Sequence, residues 1–181
     1  MTNVHPFWIS GKPVQSAVVA DVTHPGNGQV VGQYYVPQAE HIENAVAAAH
    51  AARHEFMATS AAVRSEALAH ISARLAQRAE EIAQVITSEN GKPIMWARSE
   101  VSRAISTFRW AAEEARRFSG EVQRLDTEAA ATGRYALIRR FPTGVVLGIS
   151  PFNFPLNLVA HKIAPALAVG APIVLKPAPS T

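Results

Sequence analysis

GVVLGISPFNFPLNLVAHKIAPALAVGAPIVLK, residues 144 to 176, decides the fold. GVVLGI (144–149) and APIVLK (171–176) are apolar runs of strand length. Between them PLNLVAHKIAPALAVG (155–170) reads as a helix opened by Pro155 and closed by Gly170. Strands apolar throughout and joined by a helix make a βαβ unit, with parallel strands covered on both faces, so the chain is of the α/β class. Pro165 is expected to kink or split the helix, because proline donates no N–H and crowds the carbonyl one turn back. Ligands of open parallel sheets bind just beyond the carboxyl ends of the strands. Asn153 follows the first strand and Lys176 ends the second, so topology alone brings an amide and an ammonium to one sheet edge. Lys162 places a second of the chain's four lysines in the same unit.

Each of these residues also has a plainer reading. Asn153, in SPFNFP (150–155), is a good turn residue before Phe-Pro. Lys176 can be an ordinary strand-end lysine, Lys162 a solvated helix lysine, and His161 a lone structural histidine. Yet an amide between Phe152 and Phe154 is costly if buried unpaired, and two polar exceptions at strand tips say more than either alone. Neither GxGxxG nor GxxxxGK[ST] occurs, so the common dinucleotide turn and the P-loop are both absent.

Upstream, residues 7–36 read as short strands and turns. FWISGKPV holds a Gly-Lys-Pro turn, AVVADV is β-branched, HPGNGQ is a turn signal and VVGQYYV is another strand. From Pro37 the period becomes helical: Ile42, Val46 and Ala49 share one face, Leu68, Ile71 and Leu75 another, and Ile82, Val85 and Ile86 follow. Asn90-Gly91 with Pro93 is a helix stop. Ile94, Ala97, Val101, Ile105, Phe108, Ala112 and Ala115 then predict a long helix ending at Ser119-Gly120, with Glu113, Glu114, Arg116 and Arg117 as its solvated face. Residues 121–133 read as a loop, and RYALIRRF (134–141) as a strand without an obvious partner.

The 181 residues are 48% hydrophobic and 17% charged, which predicts a buried core. All fourteen acids lie at or before Glu128. The first 128 residues therefore carry net −2, and the remainder, with Arg134, Arg139, Arg140, Lys162 and Lys176, carries +5. A locally basic segment suits an anionic ligand such as a phosphate-bearing cofactor. Without a dense Lys/Arg stripe and interleaved aromatics, nucleic acid is not expected as a partner. No apolar stretch has the length of a membrane span, and MTNVHPFWIS lacks the layout of a signal peptide. With no cysteine there is no disulfide or thiolate metal site, and the cytoplasm is the expected compartment.

PTGVVLGISPFNFPLNLVAHKIAPALAVGAPIVLKPAPST (142–181) closely resembles the first nucleotide-binding βαβ of the aldehyde dehydrogenase superfamily. That family's pattern is a P-x-G-V-V strand, a P-[WF]-N-[FY]-P loop, a K-x-x-P-A-L-A-x-G helix and a strand ending in K-P. SENGKP, ARSEVSRAISTFRWAAEEA and FSGE resemble its E-x-G-K-P junction and the long helix beyond. The resemblance implies the N-terminal part of that fold: helices packed on a parallel Rossmann-like sheet, with a strand arm for oligomerisation. It divides the chain into N-terminal strands and helices (1–120), a linker and oligomerisation strand (121–142) and the βαβ unit (143–181).

Carried over by position, the resemblance makes Asn153 the side-chain donor of an oxyanion hole for a cysteine thiohemiacetal, a role suited to a neutral, fixed amide. It places Lys162 near the active site. Lys176 becomes the donor to the adenosine ribose of NAD or NADP, and Ile149, Ser150, Pro151, Phe152, Ala178 and Pro179 line the cofactor cleft. A small aldehyde is the implied substrate and a homo-oligomer, dimer or tetramer, the implied assembly. Phe152 replaces the commoner tryptophan, leaning toward small polar aldehydes or semialdehydes. Pro179 stands where NAD-preferring members often carry a glutamate, leaving room for a 2′-phosphate. The chain has neither the cysteine nucleophile nor any acid after Glu128. It is therefore expected to be a truncated portion that cannot perform the thioester chemistry alone. Two other readings stay open: a non-catalytic fragment of the fold, and a member passing its acyl group to coenzyme A or phosphate.

Overall fold

The computed structural model describes residues 4–179; Met1 to Asn3 and Ser180–Thr181, the extremes of the stretches read above, lie outside the described residues. The β-branched runs near the amino end form β1 (Val4–His5), β2 (Phe7–Ile9), β3 (Lys12–Val14), β4 (Val19–Thr23) and β5 (Val30–Tyr35). β2 and β3 make a hairpin whose turn is Ser10-Gly11, both at positive φ (50° and 73°), so Lys12 and Pro13 belong to the strand rather than the turn. β5 lies between β1, which runs parallel to it, and β4, which runs antiparallel.

Four helices follow: α1 (Ala39–Ala58), α2 (Ala61–Gln77), α3 (Ala79–Asn90) and α4 (Ile94–Arg117). Ser60 caps α2, its Oγ accepting the Val63 N–H at 3.2 Å. α3 stops where Asn90-Gly91 predicts, with Gly91 left-handed at φ 72°. A Cβ there would stand 2.7 Å from Pro25 Cγ, so the turn and its packing both require glycine. The expected face of α1 does not hold. Ile42 and Val46 are about half exposed, and the helix has no fully buried residue. Of that face only Ala49 is half-buried, together with Ala45 and Ala48 beside it, so Ile42 and Val46 stand where the described residues leave the helix open.

β6 (Glu121–Arg124) pairs antiparallel with β7 (Tyr135–Ile138), from Glu121 opposite Ile138 to Arg124 opposite Tyr135. This corrects the loop reading of 121–133 and supplies the missing partner of RYALIRRF. EVQR holds a single apolar residue, so no period marked it as a strand. The last unit is β8 (Val146–Ile149), α5 (Asn157–Val169) and β9 (Ile173–Lys176), with β8 and β9 parallel and Ile149 opposite Lys176. α5 is not split at Pro165. Pro165 and His161, whose carbonyl loses its N–H donor, are both exposed, so solvent can satisfy the stranded oxygen.

The main core joins α2, α4 and α5 through Leu68, Ala104, Phe108, Ala112, Ala115, Ala160, Ala164 and Ala168. Alanines let the helices approach closely, while Leu68 and Phe108 fill the remaining volume. A smaller cluster of Ala83, Ile86, Ala97 and Val101 fastens α3 to α4. At the surface of this corner the Arg98 guanidinium, and then Gln84, hold the Glu80 carboxyl down at about 2. The two clusters fix the α3–α4 junction against the start of α5, and that placement builds the site. Among the described residues, no helix is long and apolar enough to cross a membrane.

Candidate active site

Seven residues, Ser150 to Leu156, cross from the tip of β8 to the start of α5. The Ser150 N–H donates to the Lys176 carbonyl at 3.2 Å, carrying the parallel ladder one residue past the strand. Its side chain is buried, and Oγ has no hydrogen-bond partner among the described residues. Pro151 and Pro155 remove two N–H donors and two degrees of backbone freedom, so the loop is held from outside itself.

That hold comes from the α3–α4 junction. Asn90 Nδ2 donates to the Phe152 carbonyl at 2.8 Å, and Lys92 Nζ donates to the Asn153 carbonyl at 2.6 Å. Lys92 also pairs with Glu100 Oε2 and stands 4.1 Å above the Phe154 ring. Glu100, only 1% exposed, turns its other oxygen to the N–H groups of Leu156 (2.9 Å) and Asn157 (3.1 Å). α5 has no cap of its own, and a carboxylate from α4 serves its positive end instead.

The Asn153 carboxamide stays free. Among the described residues none donates to it or accepts from it, and the side chain is exposed beyond the tip of β8. Phe152 beside it is 61% exposed. Arg103, also exposed, places its guanidinium carbon 5.4 Å from the centroid of the Phe154 ring and has no carboxylate partner among the described residues. Lys176 is exposed at the end of β9 opposite Ile149, itself 57% exposed, so an ammonium and an apolar side chain share the sheet edge. Ala178 is buried and Pro179 exposed just beyond. Lys162 is half-buried one turn into α5 and donates to the Leu158 carbonyl at 3.1 Å, which turns its ammonium toward the loop end of the helix. Gly148 lets α5 lie close: a Cβ there would come within 3.0 Å of Leu175 Cδ1 and 3.5 Å of Lys162 Cβ.

The βαβ unit thus gathers Ile149 to Asn153 and Lys176 to Pro179 at one edge, with Lys162 behind them. Asn90, Lys92, Glu100 and Arg103 were not singled out from the sequence. Glu100 left one signal: it lies three residues after Ala97 and four before Ala104, on a stripe that is otherwise apolar. SENGKP reads as a helix stop and, by resemblance, as a helix junction, but not as part of the site.

A family model described as "Aldehyde dehydrogenase family" matches residues 9–181. A 3-sulfolactaldehyde dehydrogenase of Priestia megaterium is 37% identical over 176 residues, 97% of this chain and 36% of that protein. Among solved structures, an aldehyde dehydrogenase of Physcomitrella patens in complex with the reaction product succinate superposes with a TM-score of 0.94 at 44% identity, covering 98% of this chain and 37% of that one. An NADP-dependent glyceraldehyde-3-phosphate dehydrogenase of Bacillus halodurans, complexed with NADP, gives 0.92 at 34% identity, covering 98% and 38%. The chain therefore spans little more than a third of the length of the relatives it matches. The match runs through the strand-tip asparagine, the helix that follows it and the lysine strand, and this chain belongs to the aldehyde dehydrogenase family.

Proposed function

We propose that this chain is the amino-terminal portion of an NAD(P)-dependent aldehyde dehydrogenase that oxidises a small anionic aldehyde to a carboxylate. The observation that carries this reading is the Asn153 carboxamide, unpartnered on a loop whose backbone is pinned from Asn90, Lys92 and Glu100. A neutral donor held in place stabilises an oxyanion as it forms and needs no reorganisation when it does. The cysteine nucleophile and the water-activating acid would belong to the rest of the polypeptide, since no cysteine occurs in these 181 residues. Lys162, its ammonium turned toward the loop, adds positive charge beside the reacting oxygen.

The sheet edge fits a dinucleotide. Lys176 offers an ammonium with no hydrogen-bond partner among the described residues, and Ile149 offers apolar surface next to it. Lys176 would hold the adenosine ribose, with Ile149, Ser150, Pro151, Phe152, Ala178 and Pro179 as the wall. When bound, the nicotinamide supplies the hydride acceptor. With Pro179 in place of an acid, NADP is expected to bind at least as well as NAD. Michaelis constants for the two cofactors check this, and a strong NAD preference contradicts it.

Three named relatives act on or hold anions: a sulfonated aldehyde, succinate and a phosphorylated aldehyde. In this chain Arg103 is the cation that suits such a tail, next to Phe154 and without a carboxylate partner among the described residues. Replacing it, Arg103→Met, should raise KM for an anionic aldehyde about 10- to 100-fold, the worth of a charged hydrogen bond. A neutral aldehyde of equal length should be turned over as before. The test of the whole reading is aldehyde-dependent reduction of NAD(P) by the full-length enzyme, followed by absorbance across sulfonated, carboxylated and neutral aldehydes. No reduction with any aldehyde would contradict it.

The β6–β7 hairpin, with Val122, Tyr135 and Leu137 each about two-thirds exposed or more, supports a homo-oligomer, dimer or tetramer, joined through this arm. The cytoplasm is the proposed compartment.

A further inference from the structure

We infer that Glu100, acting through Lys92, is a positioning residue for Asn153, and that the buried ion pair sets the oxyanion donor rather than merely stabilising the fold. The inference rests on the proposed role of Asn153. Glu100 has no contact with solvent to speak of, at 1% exposure, and a buried carboxylate is tolerated only when its lone pairs are filled. They are filled where the loop enters α5 and from the α3–α4 junction: Oε1 receives the Leu156 and Asn157 N–H groups, and Oε2 receives Lys92. Lys92 passes the constraint on, since the same ammonium holds the carbonyl of Asn153 at 2.6 Å and covers the Phe154 ring. Asn90 secures the preceding carbonyl, that of Phe152. The residue whose side chain is left free thus has its own carbonyl and the start of the following helix tied to one buried charge pair.

Stability alone does not explain such a pair. A buried ion pair replaced on both sides by apolar residues of similar size is often neutral in stability or better. What an apolar pair cannot do is fix the orientation of a carbonyl. The decisive variants are therefore Glu100→Gln and the double replacement Lys92→Met with Glu100→Leu, made in the full-length enzyme with and without Asn153→Ala. With Asn153 present, both should lower kcat about 10- to 100-fold, the effect of a small misplacement of a catalytic group, with KM for aldehyde and cofactor little changed. In the Asn153→Ala background the same replacements should cost almost nothing further, because the group they position is gone. Losses that multiply independently of Asn153 would overturn the inference, as would a double replacement of full activity. An Asn153→Ala enzyme with undiminished kcat would instead overturn the role of Asn153. Amide exchange of Leu156 and Asn157 in the full-length enzyme gives a readout without turnover. Glu100→Leu should speed it about 10- to 100-fold, and unchanged exchange would show that the carboxylate does not hold the loop.

Discussion

Asn153→Ala is expected to lower kcat of the proposed full-length enzyme about 100- to 1,000-fold while leaving KM nearly unchanged, the cost of removing one oxyanion donor. The reason lies in when the hydrogen bond is made. The carboxamide has no partner among the described residues in the resting structure, so its loss exposes no orphan and opens no cavity. Its bond would strengthen only as charge builds on the aldehyde oxygen, and an interaction made in the transition state appears in kcat. Asn153→Asp tests the sign of the effect. The side chain keeps its size but gains a negative charge where negative charge must develop, so near neutral pH it should be slower than the alanine variant. Single-turnover measurement of nicotinamide reduction gives the chemical step directly. A kcat within about threefold of the parent for Asn153→Ala, far below the expected loss, would contradict the assignment.

Leu68→Ala should destabilise the chain by about 3–5 kcal/mol, the upper part of the range for such replacements. Leu68 is fully buried where α2 meets α4 and α5. Six of the eight buried residues in its cluster are alanines, and an alanine has no side-chain torsion with which to fill a hole. Phe108 is the one other large residue that is buried there; Ile71, Leu75, Leu156, Ile163 and Leu167 pack against the cluster only partly buried. The cavity should therefore stay open, and cavity volume is what separates costly truncations from mild ones. Urea unfolding gives the measurement, with a lower midpoint at unchanged slope. A loss under about 1 kcal/mol would mean that the helices close over the gap and that this core is not rigid. The consequence reaches the site, because the same core seats α5, and the first turn of α5 anchors one end of the Asn153 loop.

The βαβ unit was legible because each of its signals is local. Two apolar runs, Pro155 and Gly170 specify strand, helix and strand without reference to the rest of the chain, and strand order then places Asn153 and Lys176 together. What escaped was set by distant partners. EVQR becomes a strand only because YALI lies beside it. Ile42 and Val46 follow a helical period, yet no described element covers them. Glu100 is more than fifty residues from the N–H groups it serves, and no spacing rule connects them. Whether Pro165 splits its helix depends on whether the freed carbonyl meets water or a neighbour, which only the packing decides.

The most direct measurement is a crystal structure of the full-length enzyme with an aldehyde bound covalently at its nucleophile. Asn153 Nδ2 is expected at about 2.7–3.1 Å from the former aldehyde oxygen, as an oxyanion donor must be, with Lys92 still on the Asn153 carbonyl. An amide turned onto neighbouring main chain, with the oxygen held by other groups, would contradict it.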